Sequence, residues 1–239
     1  MLGGNIVRST AYLGRAVPMI KARKELMSSR STRGAETRLR IIQAAADLFH
    51  QKGVRATSPD EIIEATRTGK GQFYHYFKSK EGLIHEVLQT YLQEIKNGAS
   101  PVNYQINSWR DMEEWFRAHV AFQRRFDMTR GCPFGTVGNE VTPNDELIRQ
   151  DVSLIFEVVK LKLAAFFVKE KAKGKLAKRA DEERLADFCI ATIQGGMLMG
   201  KIKRSSETVE ASIEEALAHL RGYLTKPKSR ANKLKRPVA

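Results

Sequence analysis

Apolar residues recur along this chain every three or four positions and nowhere alternate convincingly, so the pattern predicts helices from end to end. A first stripe through Leu39, Ile42, Ala46 and Phe49 predicts a helix over residues 37–52 that stops at Gly53. Ser58, Pro59 and Glu61 then stand at N-cap, first helical position and N3, a capping box opening a short helix with Ile62, Ile63 and Ala65 on its apolar side. The periodicity breaks at Thr66-Arg67-Thr68-Gly69 and restarts in Lys70-Gly71-Gln72-Phe73-Tyr74-His75-Tyr76-Phe77. Phe73 and Phe77 can face a core, which spreads Lys70, Gln72, Tyr74 and His75 over the other sides. A short helix that shows cationic, amide and phenolic groups to solvent suits a DNA major groove.

Beyond this stretch, Ser79 caps a helix over residues 80–96 with Leu83, Val87, Tyr91 and Ile95 along one side. Ser108, with Asp111 three residues on, opens another to about Met128, carrying Trp109, Trp115, Phe116, His119, Phe122 and Phe126. Residues 129–141 form a glycine-rich break around GCPFGTVGNE. Thr142-Pro143-Asn144-Asp145 repeats the cap-then-proline start and predicts a helix to about Lys171. Its apolar residues fall on two sides, Ile148, Val152, Ile155, Val159 and Phe166 with Leu154, Val158 and Leu161, which predicts burial on both. A basic connector over 169–179 leads to a last helix pair, 181–203 and 206–224. The chain reads all-α.

Residues 37–80 resemble the helix-turn-helix domain of TetR-type (tetracycline-repressor-like) transcriptional regulators. The matching runs are TRLRIIQAAADLFHQKGVRATSPDEI and, after the turn, KGQFYHYFKSKEGLI. The turn departs from the pattern: Arg67-Thr68-Gly69 stands where many members have glycine, valine and serine. The resemblance implies an N-terminal DNA-binding head, residues 34–80, and a larger helical domain, 81–225, for ligand binding and dimerisation. It places Lys70, Gly71, Gln72 and His75 against base edges and Thr57, Ser58, Tyr74 and Lys80 against phosphates. It also implies a double-stranded, palindromic operator, a small-molecule effector, a homodimer and a cytoplasmic location. Ile193-Gln194-Gly195-Gly196-Met197-Leu198 resembles the family's helix across the dimer axis, where small residues allow close approach and a partner's pair completes a four-helix bundle.

Charge sharpens this only at the ends. The net charge is +14, but residues 1–40 contribute +7 and residues 226–239 contribute +6, leaving +1 for everything between. The leading 1–33 reads as a basic flexible extension or an arm along DNA phosphates, and the last stretch as a solvated tail or a non-specific DNA grip. Two cysteines make neither a disulfide framework nor a zinc set, and no run approaches a membrane span.

In the larger domain, Phe116, His119, Phe122, Phe126, Phe134 and Phe156 are candidates either for core or for the wall of an effector cavity. His119 is the polar group that could orient a ligand there. Cys132 follows Arg130 by two residues, and that cation could lower its pKa and make it a sensor; the alternative is a plain loop cysteine. The P-loop imitation at Gly195–Ile202 lacks the magnesium-binding hydroxyl, the five histidines show no metal spacing, and no cofactor site is legible. The remaining readings are an activator or DNA-packaging protein with the same head, and a helical enzyme.

Overall fold

The computed structural model describes residues 32–225; the basic ends, and with them the arm and tail expectations, lie outside the described residues. The helices are α1 (Thr32–Lys52), α2 (Pro59–Thr66), α3 (Lys70–Phe77), α4 (Lys80–Asn97), α5 (Trp109–Arg124), α6 (Pro133–Gly138), α7 (Glu146–Ala172), α8 (Glu182–Lys203) and α9 (Glu207–Arg221). Extended pairing among the described residues is confined to one antiparallel bridge, Leu176 to Leu224. The all-α expectation holds, and no described helix is long and apolar enough to cross a membrane.

Caps explain most boundaries. Ser58, Ser79, Ser108 and Asp181 each accept a backbone N–H from the first turn of the helix they open, and Ser108 with Asp111 completes a capping box. The box expected at Ser58 is only half formed, because the Glu61 carboxylate pairs with Lys52 of α1 instead. At the start of α7 the expectation fails. Thr142 donates its N–H and hydroxyl to Asp145 Oδ2 (2.8 and 2.6 Å), so these residues close a turn and the helix begins only at Glu146. The glycine-rich break hides α6, which Cys132 caps through Sγ and Pro133 opens.

Helices α1–α3 form a head whose core of Ile41, Phe49, Ile62 and Phe73 continues through Leu83 and Leu88 of α4 into Trp115, Phe116, Ile155 and Phe167 of the body. Two seams join head to body. Along α1, Asp47 pairs with Arg130 at 2.5 Å and His50 Nε2 donates to the Gly131 carbonyl at 2.8 Å. At the end of α1, Glu140 accepts from the N–H groups of Val54 (3.0 Å) and Arg55 (2.6 Å). The second seam runs from α1 to α4, where Arg38 pairs with Glu86; within the body, the buried Asp151 carboxylate of α7 accepts from His85 Nδ1 (2.7 Å) and Gln89 Nε2 (2.8 Å) of α4.

In the body, α8 packs between α7 and α9. Gly196 lets α8 and α9 meet closely: a Cβ there would lie 2.9 Å from Val209 Cγ2. Buried Gln123 ties α5 to α8 by donating to the carbonyls of Arg130 (2.9 Å) and Met197 (2.8 Å). The expectation that α7 is buried on both sides is corrected. Ile148, Ile155 and Leu163 are buried, while Leu147, Leu154, Leu161 and Val168 form an exposed line at every seventh residue. Helices α4 and α8 cover one side of α7, and among the described residues Leu147, Leu154, Leu161 and Val168 on the other side stay exposed.

Candidate nucleic-acid interface

The three residues Arg67-Thr68-Gly69 keep the turn geometry that their identities put in question. Arg67 adopts the left-handed conformation (φ 50°, ψ 43°) that glycine takes without cost, and its N–H closes α2 by donating to Glu64 and Ile63. Thr68, where many members have valine, is buried, and its hydroxyl meets Thr66 Oγ1 at 2.8 Å. That bond satisfies a polar group that would otherwise be costly to bury. Gly69 opens α3 with no side-chain cap, so the first N–H groups of α3 have no side-chain acceptor from the N-cap residue.

Within α3, Phe73 and Phe77 are buried and anchor the helix on the head's core. Lys70, Gly71, Gln72 and His75, expected to face bases, and Tyr74, expected to hold a phosphate, are all exposed. Ser58 is exposed beside them, and Lys80, half-buried at the first turn of α4, has its ammonium pKa pulled below the usual value by that burial.

Thr57 does not join this surface. It is fully buried, and its hydroxyl donates to the Gly53 carbonyl at 2.8 Å, closing the α1–α2 turn. The phosphate contact expected of its side chain is therefore corrected to a structural role. A group that the sequence reading passed over does belong here. Asp60 of α2 lies 2.9 Å from Lys70 Nζ, with both side chains 70 % exposed, and the hydrogen bond raises the lysine pKa. A helix-opening acid beside a recognition-helix lysine is visible in sequence only once the two helices are folded together.

The body candidates separate into three groups. Phe122 and Phe126 pack on the ring of His50 (5.6 and 5.1 Å between centroids), which makes them part of the head–body seam. Phe134 lies against Phe156 (5.2 Å) and Tyr91 (6.4 Å). Phe116 and His119 gather around Trp115 (4.8 and 4.7 Å), with Tyr104 at 6.3 Å from His119. His119 Nδ1 donates to the Trp115 carbonyl at 2.8 Å, and burial pulls its pKa down to about 4. The Trp115 indole N–H, not singled out by the sequence, is buried with no hydrogen-bond partner among the described residues.

Of the two readings of Cys132, sensor or plain cysteine, its surroundings favour the plain cysteine. Arg130 turns to Asp47 and stacks over the Phe126 ring at 4.4 Å, and burial pushes the Cys132 thiol up to about 11. A buried thiol of that kind is a poor nucleophile at neutral pH.

On α8, Phe188, Leu198, Met199 and Ile202 are exposed; Phe188, Gly195 and Met199, with His219 of α9, border an open groove between the two helices.

Known proteins share both halves of this architecture. Residues 41–87 match the family described as "Bacterial regulatory proteins, tetR family", and residues 110–216 match "Tetracyclin repressor-like, C-terminal domain". An uncharacterised HTH-type transcriptional regulator of Lactococcus lactis subsp. lactis is 28% identical over 74% of this chain and 90% of its own length. The HTH-type transcriptional repressor DhaR of Mycobacterium sp. (strain GP1) is 25% identical over 72% and 86%. Among solved structures, a TetR transcriptional regulator from Chloroflexus aurantiacus superposes with a TM-score of 0.71 at 21% identity, covering 81% of this chain and 98% of that one. A cysteine mutant of the regulator CifR, complexed with double-strand operator DNA, superposes with a TM-score of 0.62 at 26% identity, covering 75% and 94%. With a recognition-type helix on a three-helix head and a matching helical body behind it, the chain belongs to the tetR family of bacterial regulatory proteins.

Proposed function

We propose that this protein is a transcriptional repressor that binds a palindromic operator as a homodimer and leaves it when a small molecule enters the body. The observation that carries the reading is α3. Two buried phenylalanines fix it to the head while Lys70, Gly71, Gln72, Tyr74 and His75 stay open. Lys70 can donate to guanine O6/N7 and Gln72 can pair with adenine N6/N7; Ser58, Tyr74 and Lys80 hold phosphates.

One short helix reads too few bases for specificity, so two heads act together, with their α3 helices one DNA turn or a multiple of it apart. The exposed apolar face of α8 with α9 supports the pairing of two copies in a four-helix bundle. The unpartnered Trp115 N–H, with Tyr104, Phe116 and His119 around it, supports an effector site in the body for a compact molecule carrying a hydrogen-bond acceptor. Phe134, Phe156 and Cys132 extend its wall. Release then follows from preferential binding of the effector to the conformation whose heads are badly spaced.

Titration of DNA from beside the gene tests the reading. A near-palindrome should bind far more tightly than unrelated DNA, and Gln72→Ala should weaken that binding by roughly 1–3 kcal/mol. Equal affinity for both DNAs would favour a packaging protein instead.

A further inference from the structure

We propose that Arg67 and Lys78, the residues flanking the recognition helix, are a pair of phosphate anchors that bracket α3 on the DNA. The inference rests on the DNA-binding reading and names two contacts that neither the resemblance nor the comparisons assign.

Both residues hold backbone conformations that L side chains rarely adopt. Arg67 has φ 50°, and Lys78 has φ 61° with ψ −40°, a tight turn in which the Ser79 N–H donates to the Phe77 carbonyl at 2.6 Å. Glycine would relieve the strain at either place, yet each carries a long cation. Both side chains are exposed, and neither forms a hydrogen bond or ion pair with any described residue. Arg204 shares this backbone at the end of α8, so a helix C-terminus by itself draws cations to such positions. What sets Arg67 and Lys78 apart is their placement.

Arg67, in the turn two residues before the N-cap Gly69, and Lys78, the C-cap, lie on either side of one helix of eight residues, about 12 Å long, and the major groove of B-DNA is about 12 Å wide. A helix of that length seated in the groove puts its two flanks near the two sugar–phosphate walls. Arginine can meet a phosphate bidentately and lysine as a point charge. The strain fixes where each side chain leaves the backbone, so the anchors set the depth and register of α3 while its exposed side chains read bases.

The test uses the full chain with Arg67→Asn, Lys78→Asn and the double variant, since asparagine tolerates the left-handed region. Lys178→Asn, beyond the far end of α7, serves as the charge control. For each protein, operator affinity is titrated over a range of salt concentrations and the urea midpoint is measured. Each anchor variant should keep its midpoint and bind at least about tenfold more weakly at low salt. Its salt slope should fall by about two per dimer, and the double variant by about four, with Lys178→Asn unchanged. Unchanged slopes, or lowered midpoints with unchanged binding as a helix-dipole role requires, would overturn the inference. A wild-type protein that binds no DNA at all would instead remove the DNA-binding reading itself.

Discussion

Arg55 and Glu140 hold each other at two points: the Arg55 backbone N–H donates to Glu140 Oε2 at 2.6 Å, and Arg55 Nη2 donates to the Glu140 carbonyl at 3.4 Å. Gly53 belongs to the same junction. It sits at φ +90°, and a Cβ there would lie 2.1 Å from Glu140 Oε1. Gly53→Ala therefore loses stability twice, from the backbone conformation and from displacement of the carboxylate, by roughly 2–4 kcal/mol in all. Glu140→Ala alone should cost about 1–2 kcal/mol. In the double variant the steric part is already gone, so urea unfolding should show less than the sum of the two losses.

Asp60 is a carboxylate on a surface meant for a polyanion. Its bond to Lys70 engages the ammonium that the proposed function sets against a base. Asp60→Asn should raise affinity for all DNA and narrow the ratio of operator to unrelated DNA. Competition titrations at low salt would show the change, and an unaltered ratio would mean the pair is incidental.

Acid should loosen the fold through two histidines. Burial pulls both His50 and His119 down to about 4 from the usual 6.5, so the unfolded chain takes up protons that the native state refuses. Their contribution is complete above pH 6.5 and is lost as pH falls toward 4. Between pH 7 and pH 5 each should remove about 2 kcal/mol of stability. Urea midpoints at the two pH values measure the sum, and His119→Phe should remove about half of it.

Ile202, 65 % exposed on α8, stands on the face assigned to the partner copy. Ile202→Asp should give a folded monomer by sedimentation, with unchanged helical content, that no longer discriminates the palindrome. A dimer that survives this change would place the interface elsewhere.

Helix existence was legible because caps and stripes are local. Ser58, Ser79 and Ser108 lie next to the helices they open, and Phe73 with Phe77 shows which side of α3 is inward. The misses are tertiary. Thr57 looks like a surface hydroxyl until Gly53 is seen folded back onto it. Arg130 looks like a neighbour of Cys132 until Asp47, 83 residues earlier, claims it. The sequence leaves the outer line of α7 looking buried, since Leu154 and Leu161 are as apolar as their inward neighbours and only the count of available packing partners tells them apart.

The two head–body seams have a mechanical consequence. A rigid part joined to another along a single line keeps one rotation about that line. The head is joined along two, through Asp47, His50 and Arg55 on one side and through Arg38 to Glu86 of α4 on the other. It keeps no free rotation, so its orientation is dictated by the body to which it is fastened. Any change in the distance between the two recognition helices of a dimer must then begin as a deformation of the body, or as the breaking of one seam.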